Sequence, residues 1–114
     1  MSYIIRRMSL DDVEAVYDIE ENSHISPWSK QIIHDCVQVG YGCFVLTKRQ
    51  KIRGFMIARA ITGECHLLNL CIAVPSQGKG FGQALLLYLI DFVKPNCNRI
   101  LLEVRPSNKA ALSL

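Results

Sequence analysis

A glycine-rich segment, Gln77-Gly78-Lys79-Gly80-Phe81-Gly82, has the residue types needed to bind a ligand through the backbone. Its three glycines lack the Cβ atoms that hold a ligand away from the main chain, and glycine accepts the positive φ angles of a tight loop. The apolar run 67–74 before it is predicted to be a strand, and residues 83–93 after it a helix. The first turn of a helix offers unpaired N–H donors at the positive end of its dipole. The segment therefore suits a phosphate or pyrophosphate group.

Two common phosphate-binding glycine motifs do not match this segment. The nucleotide P-loop requires Lys-Ser or Lys-Thr after its last glycine, whereas Gly82 is followed by Gln83 and Ala84. The dinucleotide fingerprint requires a third small residue at the position that Gln83 or Leu85 occupies, depending on where the motif begins. The pattern that remains is Q-x-x-G-x-G.

Three helices are predicted to support the glycine-rich segment. Ser9 begins the first, and Ser29 is the predicted N-cap of the second. The third helix is apolar on almost all sides, which is typical of a helix that lies across a sheet. The residues predicted to share the buried face of the first helix are Leu10, Val13, Val16, Tyr17 and Glu20.

The strand pattern completes an α+β domain with the element order β-α-α-β-β-β-α-β. Turns are predicted at residues 49–51 and 62–64, so the three strands that they join should pair antiparallel. We expect a mixed, mostly antiparallel central sheet flanked by helices. Its predicted strands are residues 3–7, 43–48, 52–61, 65–73 and 99–104.

Length and composition predict one domain over residues 1–114, because a chain of this size supports one core. The apolar runs are shorter than the ~20 residues of a membrane span. The N-terminus also lacks the apolar stretch of a signal peptide. These features predict a cytoplasmic protein without a membrane partner. Five cysteines without a C-x-x-C pair predict reduced thiols rather than a disulfide framework or a structural metal site.

The charge pattern argues against a nucleic-acid partner. The net charge is only +3, and the densest basic cluster, residues 48–53, is explained by a solvated hairpin tip. Acidic residues are concentrated in the first helix, where they either attract a basic peptide or form a solvated face without a partner. They are Asp11, Asp12, Glu14, Asp18, Glu20 and Glu21.

The Q-x-x-G-x-G pattern resembles the acyl-coenzyme A loop of the Gcn5-related N-acetyltransferases. Residues 67–73, 80–86 and 101–108 resemble the bacterial ribosomal-protein-alanine N-acetyltransferases of the RimI type, as does the segment His24-Ile25-Ser26-Pro27-Trp28-Ser29. This resemblance covers nearly the whole chain. It implies an α/β three-layer acetyltransferase fold that uses acetyl-CoA and no metal. The implied acceptor is the basic N-terminal peptide of a small-subunit ribosomal protein, modified on its terminal alanine.

The resemblance also implies the residues of a coenzyme site. The loop amides hold the pyrophosphate, and a backbone N–H on the fourth strand stabilises the thioester oxygen as it gains charge. Asn108 is either the cap of a helix that begins there or, as the resemblance implies, a contact of the coenzyme. Trp28 is either a core anchor or a wall of the acceptor site. The implied coenzyme-binding residues are Leu70, Cys71, Ile72, Gln77, Gly78, Lys79, Gly80, Phe81, Gly82, Gln83 and Asn108.

Glu103 is the predicted general base. An α-amino group with a pKa of about 8 is roughly a tenth deprotonated at pH 7, so one carboxylate suffices. Glu103 interrupts an apolar strand, and partial desolvation beside Leu101 should raise its pKa toward a value suited to proton abstraction. A surface ion pair of Glu103 with Arg99 or Arg105 is the alternative interpretation.

A covalent acetyl-cysteine intermediate on Cys71 is disfavoured. His66 is the nearest candidate base, and a spacing of five residues puts the two side chains on opposite faces of a regular strand. Cys71 is better explained as a small core residue, and His66 as a strand residue with an ordinary hydrogen bond.

The resemblance further implies a domain that is C-terminally short. The family pattern Arg-x-Ser-Asn-x-x-Ala-x-x-Leu-Tyr is in register from Arg105 to Leu114, and its general-acid tyrosine would come next. A C-terminal helix and further strands are expected to be missing. The alternatives are therefore acetylation of a small amine or lysine, or a non-catalytic coenzyme A-binding or interaction module. A monomer or weak homodimer is expected.

Overall fold

The predicted order of elements is confirmed by the structure, a computed structural model that describes residues 2–102. Short 3-10 turns at Leu10–Asp12 and Val74–Ser76 precede the first and third helices. The strands are β1 (Ile4–Arg7), β2 (Gly42–Lys48), β3 (Lys51–Ile61), β4 (Glu64–Ile72) and β5 (Arg99–Leu102). The helices are α1 (Val13–Ser23), α2 (Lys30–Gln38) and α3 (Phe81–Val93).

The strands form one sheet in the order β1-β2-β3-β4-β5, in which only the β4–β5 pair is parallel. Both predicted hairpin turns are present. Arg49 and Gln50 have φ angles of 54° and 63°, and Thr62 and Gly63 have φ angles of 44° and 77°. Positive φ at both central residues gives two-residue turns a twist that matches the flanking strands. These turns keep β2, β3 and β4 antiparallel, as predicted.

Two hydrophobic clusters cover the two faces of the sheet and produce the expected three layers. The α3 side buries Phe44, Leu46, Met56, Leu67, Leu70, Phe81, Leu85 and Leu89, among others. The side of α1 and α2 buries Val13, Val16, Ile19, Ile33, Val45, Phe55, Ile57 and Cys71, among others. The predicted cap of α2 is also present, since Ser29 Oγ accepts a hydrogen bond from the Ile32 N–H at 3.1 Å.

One prediction about helix packing was wrong. Leu10 is 45% exposed, because it lies in the 3-10 turn before α1, and Ile19 is buried instead. The third helix lies across the sheet as predicted, with Leu85 and Leu89 buried against it, while its apolar residues Leu87 and Ile90 are 55% and 40% exposed. An apolar composition alone does not reveal how far a neighbouring layer extends over a helix. Within residues 2–102, no helix combines the length and hydrophobicity required to cross a bilayer.

A β-bulge interrupts β4 at Leu68, the extra residue between the pairs Ala58–Leu67 and Ile57–Asn69. Leu67 belongs to the cluster under α3, whereas Cys71 belongs to the cluster under α1 and α2. The bulge therefore reverses the alternation of side chains along the strand. His66 and Cys71 face the same side of the sheet, and the prediction of opposite faces was wrong.

Candidate functional site

The glycine-rich loop has the backbone geometry that its sequence predicts. Gly80 is the N-cap of α3 with φ of 83°, and Gly78 has φ of 77°. A Cβ atom built on either glycine meets no atom within 4 Å. Glycine is therefore favoured at both positions by backbone conformation, and the space beside the loop is open to a ligand. Lys79, between them, is exposed.

The loop is tied to the end of β4. Gln77 Nε2 donates to the carbonyl oxygen of Ile72 at 3.1 Å, and the N–H of Ser76 donates to the carbonyl of Ala73 at 2.8 Å. At the other end, Phe81 is buried in the core and its ring meets Tyr3 edge-on, with 6.0 Å between ring centroids. Phe81 can therefore offer a ligand its backbone N–H but not its side chain.

The backbone direction of β4 distinguishes among the predicted oxyanion donors. The N–H of Ala73 donates to the carbonyl of Arg53 on β3 at 2.8 Å. Hydrogen-bonding direction alternates along an antiparallel pair, so Cys71, two positions earlier, also bonds toward β3. The N–H groups of Leu70 and Ile72 point away from β3. The three predicted donors therefore differ in direction, with the Cys71 N–H directed toward β3 and the other two directed away from it.

A second feature, which the sequence analysis did not identify as a site, is a buried polar cluster around Glu20. The Glu20 side chain has no exposed surface. Its Oε1 accepts from Asn69 Nδ2 at 2.9 Å, and its Oε2 accepts from the backbone N–H of Trp28 at 2.8 Å. His24 Nε2 lies 3.4 Å from Oε1. The sequence did contain a signal for this cluster, because Glu20 was predicted to lie on the buried face of the first helix and is followed four residues later by His24.

The ligand-type atoms of Glu20, His24 and Cys71 lie within 4.8 Å of one another. A carboxylate, an imidazole and a thiol would suit Zn²⁺. Both Glu20 oxygens already accept N–H donors, and the Cys71 thiol contacts the carbonyl of Ile19 at 3.9 Å. Both Glu20 oxygens and the Cys71 thiol thus have partners within the protein, so we do not interpret the cluster as a metal centre.

Trp28 is half-buried and packs against the cluster under α1 and α2. This placement agrees with both interpretations of Trp28, because the side chain contacts the core and remains partly exposed. A cleft of about 300 Å³ lies between α1 and the segment after β4, lined by residues that include Asp18, Asn22 and Val74. It adjoins the end of β4, where the candidate donors lie.

The acidic face of the first helix is smaller than the sequence suggests. Glu20 is buried in its polar cluster, and Asp12 is buried beside Arg6, whose Nη1 lies 2.8 Å from Asp12 Oδ2. The hydrogen bond from Arg6 lowers the pKa of Asp12. The four acidic residues of the group that remain exposed are Asp11, Glu14, Asp18 and Glu21.

The remaining predicted site residues are only partly described. Gln83 is exposed in the first turn of α3, near the loop. Glu103 and Asn108 lie outside the described residues. Arg99, offered above as an ion-pair partner for Glu103, bonds to Glu64 on the adjacent strand. All five cysteines are free, and all but Cys97 are buried.

The chain is similar to proteins of known class. A model of the acetyltransferase (GNAT) family matches residues 9–114. The sequence is 35% identical over 111 residues to the ribosomal protein bS18-alanine N-acetyltransferase of Escherichia coli strain K12, across 96% of this chain and 75% of that protein.

Solved structures show the same fold. The crystal structure of the ribosomal-protein-S18-alanine N-acetyltransferase from E. coli superposes with a TM-score of 0.87 at 34% identity, covering 98% of this chain and 73% of that one. The PaiA N-acetyltransferase from Thermoplasma acidophilum, in complex with coenzyme A, gives a TM-score of 0.81 at 21% identity, covering 99% and 86%. The second likeness shows the fold alone.

Proposed function

Because the chain belongs to the acetyltransferase (GNAT) family, we propose that it transfers the acetyl group of acetyl-CoA to the α-amino group of an N-terminal alanine on a ribosomal protein. The observation that carries this proposal is the open glycine loop joined to β4. In this proposal the N–H groups of the loop bind the pyrophosphate, and an N–H near the end of β4, to which Gln77 ties the loop, binds the thioester.

The loop holds the coenzyme in this proposal. The N–H groups of the first turn of α3 have no acceptor within the helix, and the helix dipole adds partial positive charge at the same point. Gly78 and Gly80 allow a pyrophosphate to approach these groups without meeting a side chain. Lys79 and Gln83 lie at the edge of this surface and can contact the phosphates.

The N–H of Leu70 or Ile72 binds the thioester oxygen. The neutral amine attacks the carbonyl carbon, a C–N bond forms, and negative charge develops on the oxygen. When the intermediate collapses, the C–S bond breaks and coenzyme A leaves as a thiolate that takes up a proton. Direct transfer requires no metal ion, because the thioester is already activated and the backbone donor stabilises the charge.

Glu103 accepts the proton that the amine loses. In sequence it directly follows Leu102, the last described residue of β5, and β5 pairs in parallel with β4. Positioned general bases contribute about 10²- to 10⁴-fold to the rate. Glu103→Gln should therefore reduce kcat by about that factor, with most of the loss at low pH, where fewer amines are neutral.

The acceptor approaches along α1. The exposed carboxylates of Asp11, Glu14, Asp18 and Glu21 favour a basic peptide. The cleft beside Asp18 lies between this helix and the segment after β4, and Trp28, in the loop after α1, is the proposed wall of the acceptor site. We propose that the reaction occurs in the cytoplasm, where ribosomal proteins are made, and that the enzyme acts as a monomer or weak homodimer.

The test uses acetyl-CoA and basic peptides that begin with alanine, either free or blocked at the N-terminus. Mass spectrometry locates the added group, and calorimetry measures coenzyme A binding separately. We expect acetyl only on the free α-amino group. Acetylation confined to lysine side chains would overturn the assignment of the α-amino group as acceptor. Coenzyme A binding without any acetylated product would indicate a binding module.

A further inference from the structure

We propose that Glu20 is a positioning residue. It holds the α1–α2 loop, which contains Trp28 of the acceptor site, against β4, the strand with the proposed oxyanion donors. This inference rests on the proposed function. Glu20 lies on α1, but its two carboxylate oxygens bond to two other parts of the chain. One oxygen accepts from Asn69 on β4, and the other accepts from the backbone of Trp28 in the α1–α2 loop.

The two donors lie where alignment of the substrates is required. Asn69 is the first residue after the bulge in β4 and directly precedes Leu70, whose N–H is a proposed oxyanion donor. Trp28 lines the proposed acceptor site. One carboxylate therefore fixes the distance between Trp28 and the backbone N–H donors of β4. Transfer rates depend steeply on such distances, since a displacement near 1 Å costs about 100-fold.

The burial of Glu20 argues that stability alone does not explain this residue. Its side chain is 0% exposed, and the other residues that α1 buries, such as Val16 and Ile19, are apolar. A buried carboxylate carries a large desolvation cost, and well-packed apolar residues often replace buried charges without loss of stability. What a carboxylate adds is direction, because two charge-assisted hydrogen bonds from separate elements fix its geometry.

Trp28 gives a direct measurement of this contact, because it is the only tryptophan. In Glu20→Gln the amide retains one acceptor oxygen but turns an NH₂ group toward one of the two donors. We expect the far-UV circular dichroism to be unchanged, the Trp28 emission to shift to longer wavelength, and acrylamide quenching to increase. Peptide affinity should fall about 10-fold to 100-fold, as for a lost hydrogen bond to a buried charge, with coenzyme A affinity within about twofold.

A reciprocal exchange distinguishes positioning from bulk stability. In the double variant Glu20→Gln with Asn69→Asp, the amide introduced at position 20 can donate to the new carboxylate while its oxygen still accepts from the Trp28 N–H. We expect this double variant to recover Trp28 emission and most of the peptide affinity. Asn69→Asp alone places two carboxylates together, so its peptide affinity should be lower than that of Glu20→Gln or of the double variant. Asp35→Asn removes an exposed carboxylate on α2 and is the matched control.

The outcomes separate the two proposals. Unchanged Trp28 emission and peptide affinity in Glu20→Gln would overturn the positioning role, even if the melting temperature fell. Failure of the exchange to recover either measurement would also count against it. If the unmodified chain binds coenzyme A but no alanine peptide, the assignment of the acceptor fails. Trp28 emission would still report whether Glu20 holds the α1–α2 loop in place.

Discussion

Gly54 on β3 lies opposite Ile72 at the end of β4, and no space remains between them for a side chain. A Cβ atom on Gly54 would lie 2.5 Å from Ile72 Cδ1 and 2.9 Å from the carbonyl oxygen of Cys71. Because Gly54 has no side chain, β4 can lie close to β3 at Ile72, whose N–H points away from β3. The position of a proposed oxyanion donor thus depends on a glycine of the neighbouring strand.

The change Gly54→Ala should push the end of β4 away from β3. Overpacking of this kind costs about 1–3 kcal/mol in the free energy of unfolding, and urea denaturation would measure it. Displacement of Ile72 should also lower acetyl transfer in the folded protein. Gly42→Ala is the control, because its Cβ would be 3.5 Å from the nearest atom, an ordinary contact. Equal effects of the two changes would contradict the tight packing at Gly54.

The glycine loop gives a second prediction, for Gly80→Ala. Alanine is strained at a φ of 83°, so the free energy of unfolding should fall by about 1 kcal/mol. Coenzyme A affinity should also fall, because the methyl group enters the open space proposed for the pyrophosphate. Calorimetric titration with coenzyme A would measure the loss.

Gly40→Ala is the control that separates the effect of backbone strain on stability from the effect of the loop surface on coenzyme A affinity. Gly40 has a φ of 89° and open space around its Cβ position, but it lies between α2 and β2, away from the loop. We expect a similar loss of stability and unchanged coenzyme A affinity. A loss of affinity in both variants would mean that instability, not the loop surface, weakens binding.

The glycine loop could be predicted from sequence because its requirements are local. Gly78 and Gly80 adopt positive φ within a strand-loop-helix unit that the hydrophobic pattern already indicates. The bulge at Leu68 could not be predicted in the same way, because it arises from pairing between β3 and β4. It moves Asn69 onto the face of α1, where it meets Glu20. The partners of Glu20 therefore depend on tertiary contacts that no local pattern specifies.

Thiol labelling tests the packing of both hydrophobic clusters. Burial raises the pKa of Cys43 to about 12 from a usual value of 9.0, and burial also raises the pKa of Cys36 and Cys65. Reaction with a disulfide reagent at pH 8 should be slowed roughly a thousandfold at Cys43 by the lower thiolate fraction alone. We expect one thiol, that of partly exposed Cys97, to react promptly, and the others to react after denaturation.

The change Cys97→Ser should remove the prompt labelling phase and leave the slow phase unchanged. Rapid labelling of two or more thiols in the native protein would show that at least one cluster opens readily. Mass spectrometry of the labelled peptides would then identify the cysteine concerned.

The pair of Arg6 and Asp12 should make stability depend on pH. Arg6 donates to both carboxylate oxygens of Asp12, at 2.8 Å and 3.0 Å, and this interaction is the main cause of the lowered pKa of Asp12. Because that pKa lies below its usual 3.8, the folded state releases the proton more readily than the unfolded state. The stabilisation is therefore complete above about pH 4 and is lost as the pH falls through the folded-state pKa.

The change Asp12→Asn should lower the free energy of unfolding at pH 6 by about 1 kcal/mol, a modest value because Arg6 is partly exposed. The difference between the two proteins should narrow as the pH falls below about 4, since protonation of Asp12 also weakens the pair in the unmodified chain. Urea denaturation at pH 6 and pH 3 would measure both values. Asp11→Asn, at an exposed neighbouring position, should show a smaller difference at pH 6. A difference that stays constant down to pH 3 would mean that the carboxylate charge is not what stabilises this turn.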